Sequence, residues 1–219
     1  MIEYKMHCGS DNTIANTARV SMEVNGNWAD LPEGYETWAR DKLLKYLAEH
    51  KHTSPFRHSS ITVQCKVPLF LARQLGKHQV GMSWNETSRR YTTDGLEFWM
   101  PDAWRCAPDK NIKQGSGVDM SAASQVFLDD VYKNVLDVCE GAYQTALLEG
   151  CAPEQARMML PQSMQIPYVW TGSLMAFAHV YNLRIDGHSQ KEARDFAEQL
   201  DNIIEPLFPV SWKVLTGRT

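Results

Sequence analysis

The stretch SSITVQCKV (59–67) runs directly into PLFLARQLGKH (68–78), setting two structural periods end to end. In the first, polar and apolar residues alternate, so Ile61, Val63, Cys65 and Val67 fall on one side, as a half-buried strand requires. In the second, Pro68 suits the first position of a helix, where its missing N–H is not needed. A strand followed at once by a helix of different period is the reading that fixes the fold class, and the flanking segments extend it in both directions.

Upstream, IEYKMHC (2–8) has the length and residue types of a strand. EGYETWARDKLLKYLAEH (33–50) brings Trp38, Leu43, Leu44 and Leu47 near one helical face, which predicts an amphipathic helix ending at the His-rich segment HKHTSPFRH (50–58). Downstream, VGMSWNETSRRY (80–91) has no regular period and reads as a shaped loop. A long helix is predicted over 121–150, capped by Asp119 or Ser121 and stopped by Gly150, with Phe127, Val131, Val135 and Val138 at helical spacing. Pro153 opens a short helix, PEQARMML, closed by Pro161. A strand near IPYVWT (166–171) leads to a helix SLMAFAHVYNLR (173–184). A last helix from about Ser189 to Glu205 carries Ala193, Phe196, Ala197, Leu200, Ile203 and Ile204 and stops at Pro206. Helix outweighs strand and the helices are of unequal length. The prediction is therefore an α+β fold, a mixed sheet packed against several helices, in one domain spanning 1–219.

With 219 residues and 43% hydrophobic content, the chain can enclose a real core. No run approaches the roughly 18 apolar residues that a membrane span needs. MIEYKMHCGSDN lacks a basic stretch followed by an apolar core, so a cytoplasmic protein without membrane association is expected. A net charge of −4 argues against a nucleic-acid partner, which calls for a basic surface. The five cysteines (Cys8, Cys65, Cys106, Cys139, Cys151) form no CxxC pair and no zinc-ligand pattern. They read as reduced thiols, and no metal site is expected.

Chemistry concentrates in a few places. Glu86, Ser88, Arg89 and Arg90 put a carboxylate, a hydroxyl and two guanidinium groups within five residues. Such a set can bind a phosphate and offer acceptors to a heterocycle; it also fits a solvated charged turn. Arg73, Gln74, Lys77 and His78 fall at i and i+4 on the predicted helix, as two polar rows that could meet one ligand or simply face solvent. Arg157 stands beside Met158, Met159 and Leu160, and Arg184 ends the helix before IDGHSQ. Either arginine could pair with a ligand anion or with an internal acid.

Six ordered segments together resemble the flavin-dependent thymidylate synthase family: TARVS (17–21), HTSPFRH (52–58), VPLFLARQ (67–74), SWNETSRRY (83–91), EQARMMLP (154–161) and NLRIDGHSQ (182–190). The family signature is Arg-His-Arg, then seven or eight residues, then Ser. Here Lys77-His78-Gln79 stands in its place, followed by eight residues and then Ser88. The resemblance implies a homotetramer that methylates dUMP to dTMP. Methylenetetrahydrofolate would give the carbon, and FAD reduced by NADPH the hydride. It implies a dUMP site of Gln74, Lys77, Glu86, Ser88, Arg89, Arg90, Arg157 and Arg184, with Arg184 as the catalytic group facing the uracil ring. It implies FAD contacts from Ser54, Lys77, His78, Gln79, Glu86, Ser173 and His179, with His52 and His188 nearby. Ser173 and His179 stand where the family usually has asparagine, and Gln79 loses the charge of the signature arginine. The altered segment leaves open a flavin- and folate-dependent dUMP hydroxymethylase on the same scaffold.

Overall fold

The computed structural model describes residues 1–22, 29–110 and 115–218. The fold is α+β. Four strands, β1 (Ile2–Cys8), β2 (Ser60–Pro68), β3 (Met82–Glu86) and β4 (Gln165–Ser173), lie in one sheet in the order β1-β2-β4-β3. The described helices are α1 (Asp11–Arg19), α2 (Thr37–Glu49), α3 (Leu69–Leu75), α4 (Ala122–Leu148), α5 (Pro153–Ala156), α6 (Leu174–Arg184), α7 (Lys191–Ile204) and α8 (Ser211–Thr216). Residues group into two compact units: Met1–Cys65 with Gly76–Trp84 and Val169–Thr219, and Lys66–Leu75 with Asn85–Tyr168. None of the described helices is long and apolar enough to cross a membrane.

The first unit is organised by the alternation that opened the sequence reading. Ile61, Val63 and Cys65 are at most 1% exposed, and β1 pairs antiparallel with β2 from Ile2↔Cys65 to Cys8↔Ser60. Around Trp170, which is fully buried, Trp84, Phe177 and Phe196 pack edge-on or tilted, with ring centroids 5.6, 5.4 and 6.1 Å away. Asp11 joins the two ends of the chain. Its carboxylate is 4% exposed and accepts from the backbone N–H groups of Val210 and Ser211, each at 2.9 Å, so it caps α8 across the unit.

In the second unit, Leu71, Ala72 and Leu75 of α3 are buried, and Phe70 meets Trp99 edge-on at 5.3 Å. The helix α4 is held by Ser121, whose Oγ accepts from Ser124 N–H at 3.2 Å, and by Tyr132 donating to the Trp99 carbonyl at 2.9 Å. Trp104 Nε1–H donates to Asp129 at 2.9 Å. Gly150, at φ +82°, stops the helix as expected.

Several expectations are corrected. The helix over 68–78 starts at Leu69 and stops at Leu75, because Gly76 and the turn after it break the ladder; Lys77 and His78 lie beyond it. The two polar rows pairing Arg73 with Lys77 and Gln74 with His78 therefore do not form. Part of the expected loop 80–91 is the strand β3, too short and too half-exposed for its alternation to stand out. Trp38 is 66% exposed, while Leu44 and Leu47 carry the buried face of α2. Beyond Pro206 the chain adds α8, which buries Trp212 completely. The periodic residues Phe127, Val131, Val135 and Val138 of α4 point away from the core, at 66, 42, 48 and 71% exposure, and the helix buries Leu136 and Tyr143 instead.

Candidate functional site

Each candidate residue belongs to one unit or the other. Ser54, His52, Lys77, His78, Gln79, Ser173, His179, Arg184 and His188 belong to the first; Gln74, Glu86, Ser88, Arg89, Arg90 and Arg157 belong to the second.

In the first unit, α6 presents its last turn to the segment after α3. Arg184 donates from Nε (3.0 Å) and Nη2 (2.9 Å) to Nε2 of His78. A guanidinium has no acceptor, so His78 must be neutral with its proton on Nδ1. Burial, the Arg184 charge and His179 together hold the His78 ring down at about 4 instead of 6.5. Burial also lowers the Arg184 pKa. His179, one turn back on α6, meets the His78 ring edge-on at 5.7 Å. Among the described residues no carboxylate pairs with Arg184. The nearby Asp186 instead accepts from the His188 backbone N–H at 2.8 Å.

Ser173 is the N-cap of α6: its Oγ accepts from Ala176 N–H at 3.2 Å, and its own N–H donates to the Gly81 carbonyl at 3.1 Å. Gly81 sits at φ +73°, which favours glycine, and a Cβ there would also crowd Ala176 Cβ and Ser173 Oγ, each at 3.3 Å. Lys77, Gln79, His179 and His188 are exposed. His52 and Ser54 are exposed on the turn after α2, where His52 lies 6.1 Å from the Tyr46 ring, edge-on.

In the second unit, Ser88 starts a turn. Its carbonyl accepts from Tyr91 and Thr92 N–H groups, and its Oγ accepts from Arg90 N–H at 3.3 Å. Arg89 is only 7% exposed and donates to the carbonyls of Asp94 (2.6 Å) and Gly95 (3.0 Å), tying down the loop that follows. Arg90 and Arg157 are exposed and meet the same residue. Arg90 Nε lies 3.6 Å from the Glu154 carboxylate, and Arg157 Nε donates to the Glu154 carbonyl at 3.2 Å. Glu154 was not singled out in the sequence, although its place three residues before Arg157 at a helix start was the available signal. The exposed ion pair contributes at most about 1 kcal/mol, so an incoming anion can displace it at small cost. Gln74 is half-buried on α3, and Glu86 is exposed at the end of β3.

Comparison with known proteins adds the chemistry. A family model described as "Thymidylate synthase complementing protein" matches residues 2–210. The chain is 33% identical to a flavin-dependent thymidylate synthase of Thermosipho melanesiensis over 92% of its length and 83% of that protein's. It is 32% identical to the enzyme of that name from Thermus thermophilus, over 93% of this chain and 71% of that protein. Among solved structures it is similar to a UMP/dUMP methylase, PolB, from Streptomyces cacaoi bound with 5-Br dUMP. That match has a TM-score of 0.86 and 27% identity, covering 100% of this chain and 95% of that one. With a family match that spans nearly the whole chain, and relatives above 30% identity over most of their own length, the chain belongs to the flavin-dependent thymidylate synthases, an enzyme family of methyltransferases.

Proposed function

We propose that this chain methylates dUMP to dTMP, with methylenetetrahydrofolate as carbon donor and FAD, reduced by NADPH, as hydride carrier. The observation that carries the reading is Arg184, a half-buried guanidinium held in place with no neutralising carboxylate among the described residues. Positive charge beside the uracil ring stabilises its ionised form and lowers the barrier to forming a bond at the neighbouring carbon. In this reading Arg90 and Arg157, gathered around Glu154, take the nucleotide phosphate. Gln74, Lys77, Glu86 and Ser88 complete the nucleotide site, and Arg89 serves it indirectly, by holding the 88–95 loop.

The flavin residues of this reading are Ser54, Lys77, His78, Gln79, Glu86, Ser173 and His179, with His52 and His188. The donors of the first unit fit an electron-rich ring system and its phosphates: Lys77 and Arg184 are cationic, and no acid bears on His78 among the described residues. The Ser173 O–H remains able to donate although its oxygen caps α6. Flavin, when bound, supplies hydride chemistry, while the chain supplies binding, orientation and fixed charge.

A homotetramer drawn from the whole chain as one domain, in the cytoplasm, belongs to the same reading. The outward stripe Phe127, Val131, Val135 and Val138 supports self-association, because it leaves a continuous apolar helix face exposed. A dUMP hydroxymethylase is kept as the second reading because Lys77-His78-Gln79 departs from the signature. Turnover with dUMP, methylenetetrahydrofolate, FAD and NADPH, with UMP run in parallel, tests both. The expected product carries a methyl group; one additional oxygen in its mass selects the hydroxymethylase, and absence of any nucleotide product refutes both. Arg184→Ala is expected to abolish turnover.

A further inference from the structure

A half-buried arginine is costly to hold without an anionic partner, yet among the described residues Arg184 pairs with no carboxylate, and Asp186, two residues away, accepts from the His188 backbone instead. The partner it has is an imidazole nitrogen, reached by two donors from the same guanidinium edge, at 3.0 and 2.9 Å, across 106 residues of sequence. The difference matters physically. A carboxylate would fix the guanidinium and cancel its charge, whereas a neutral acceptor fixes it and leaves the charge intact.

We propose that His78 is a positioning residue for Arg184: its neutral ring, protonated on Nδ1, holds the Nε–Nη2 edge so that the Nη1 side stays aimed and fully charged toward the nucleotide ring. This rests on the functional reading above. The groups that bear on the ring among the described residues are Arg184 and His179, both on α6, and neither is an acid. Nothing in this environment favours a second proton on His78, and a protonated ring would lose its acceptor and repel Arg184. The depressed His78 pKa of about 4 agrees with the geometry. Ring orientation is maintained by His179 packing edge-on at 5.7 Å.

The test uses protein labelled with 15N at histidine and arginine, without cofactor or nucleotide. His78 is expected as the Nδ1–H tautomer from pH 5.5 to 8, with the Arg184 Nε–H protected from exchange. In His78→Gln, whose amide oxygen can accept from the same donors, that protection should persist; in His78→Leu it should fall at least tenfold. An Nε2–H tautomer, a titration near the ordinary 6.5, or unchanged Arg184 protection in His78→Leu each overturns the proposal. In turnover assays at saturating flavin, kcat of His78→Leu should fall at least tenfold below that of His78→Gln, and equal kcat in the two variants overturns the proposal. Calorimetry of dUMP binding to the wild type judges the functional reading separately, since a chain that binds no dUMP fails that reading whatever tautomer His78 adopts.

Discussion

Replacing Arg89 by alanine separates a strut from a ligand contact. The guanidinium is 7% exposed and makes two well-formed bonds, to the carbonyls of Asp94 at 2.6 Å and Gly95 at 3.0 Å, while the Thr92 carbonyl at 3.5 Å is too long to count. A hydrogen bond from a charged donor contributes about 1.5–3 kcal/mol net. The two carbonyls sit on a loop that water can reach once the arginine is gone, so the lower end applies to each and the pair amounts to ~3 kcal/mol. That energy holds the 88–95 loop closed, and its loss corresponds to about a 150-fold increase in loop opening. Amide hydrogen exchange read peptide by peptide should show this increase over residues 88–97 in Arg89→Ala, with dUMP affinity falling in step. Arg89→Lys, which cannot span both carbonyls, should recover only part of it. If exchange in the loop is unchanged while dUMP affinity collapses, Arg89 touches the nucleotide and its structural role here is wrong.

Asp11→Ala removes the acceptor for one buried and one part-buried backbone N–H group at the start of α8 and should cost on the order of 2–4 kcal/mol, read as a lower urea midpoint by tryptophan fluorescence; a loss under about 1 kcal/mol contradicts the assignment. His78 is neutral in the folded protein, whereas the unfolded chain takes up a proton below about 6.5. Its folded value is the lower one, so stability present above pH 6.5 is lost as pH falls toward about 4. Unscreened, the linkage at pH 5 is about 2 kcal/mol, and solvent screening of a half-exposed ring brings it to on the order of 1 kcal/mol. Urea titrations at pH 7.5 and 5 should show that extra loss in the wild type and not in His78→Gln; parallel losses rule it out. Val135→Asp on the outward face of α4 should weaken self-association at least ~30-fold by placing a charge in an apolar contact, measured by sedimentation, with little change in monomer stability. An unchanged assembly would put the interface elsewhere.

What the sequence made legible follows from how local each signal is. The alternation of Ile61, Val63, Cys65 and Val67 is a short-range pattern, and all four residues are buried as read. The same holds for Ala193, Phe196, Ala197, Leu200 and Ile204 on α7. Periodicity in α4 was equally visible but carried no direction: Phe127 to Val138 mark a helix face, and only the fold reveals that this face looks outward. α8 escaped because a six-residue helix after Pro209 offers less than two turns of pattern, and its cap, Asp11, lies about 200 residues earlier. Within the candidate site, residue type identified the arginines but not their partners. Arg89 bonds its own loop, Arg90 and Arg157 share Glu154, and Arg184 pairs with His78, and of these arginines only Arg89 and Arg157 find partners near them in sequence.

The bond from Asp11 to the start of α8 also bears on the order in which this chain can assemble during synthesis. Residues 85–168, the greater part of one unit, leave the ribosome as a continuous block, but the other unit draws on 1–65 and on 169–219. His7 and Asp11 are made early, and their partners, the Phe208 ring 5.8 Å from His7 and the backbone N–H groups of Val210 and Ser211, are made about 200 residues later. Until then the nascent chain carries half of a hydrophobic core without its other half. That interval is when a chaperone has most to offer and when a stalled or prematurely ended product is most prone to aggregate.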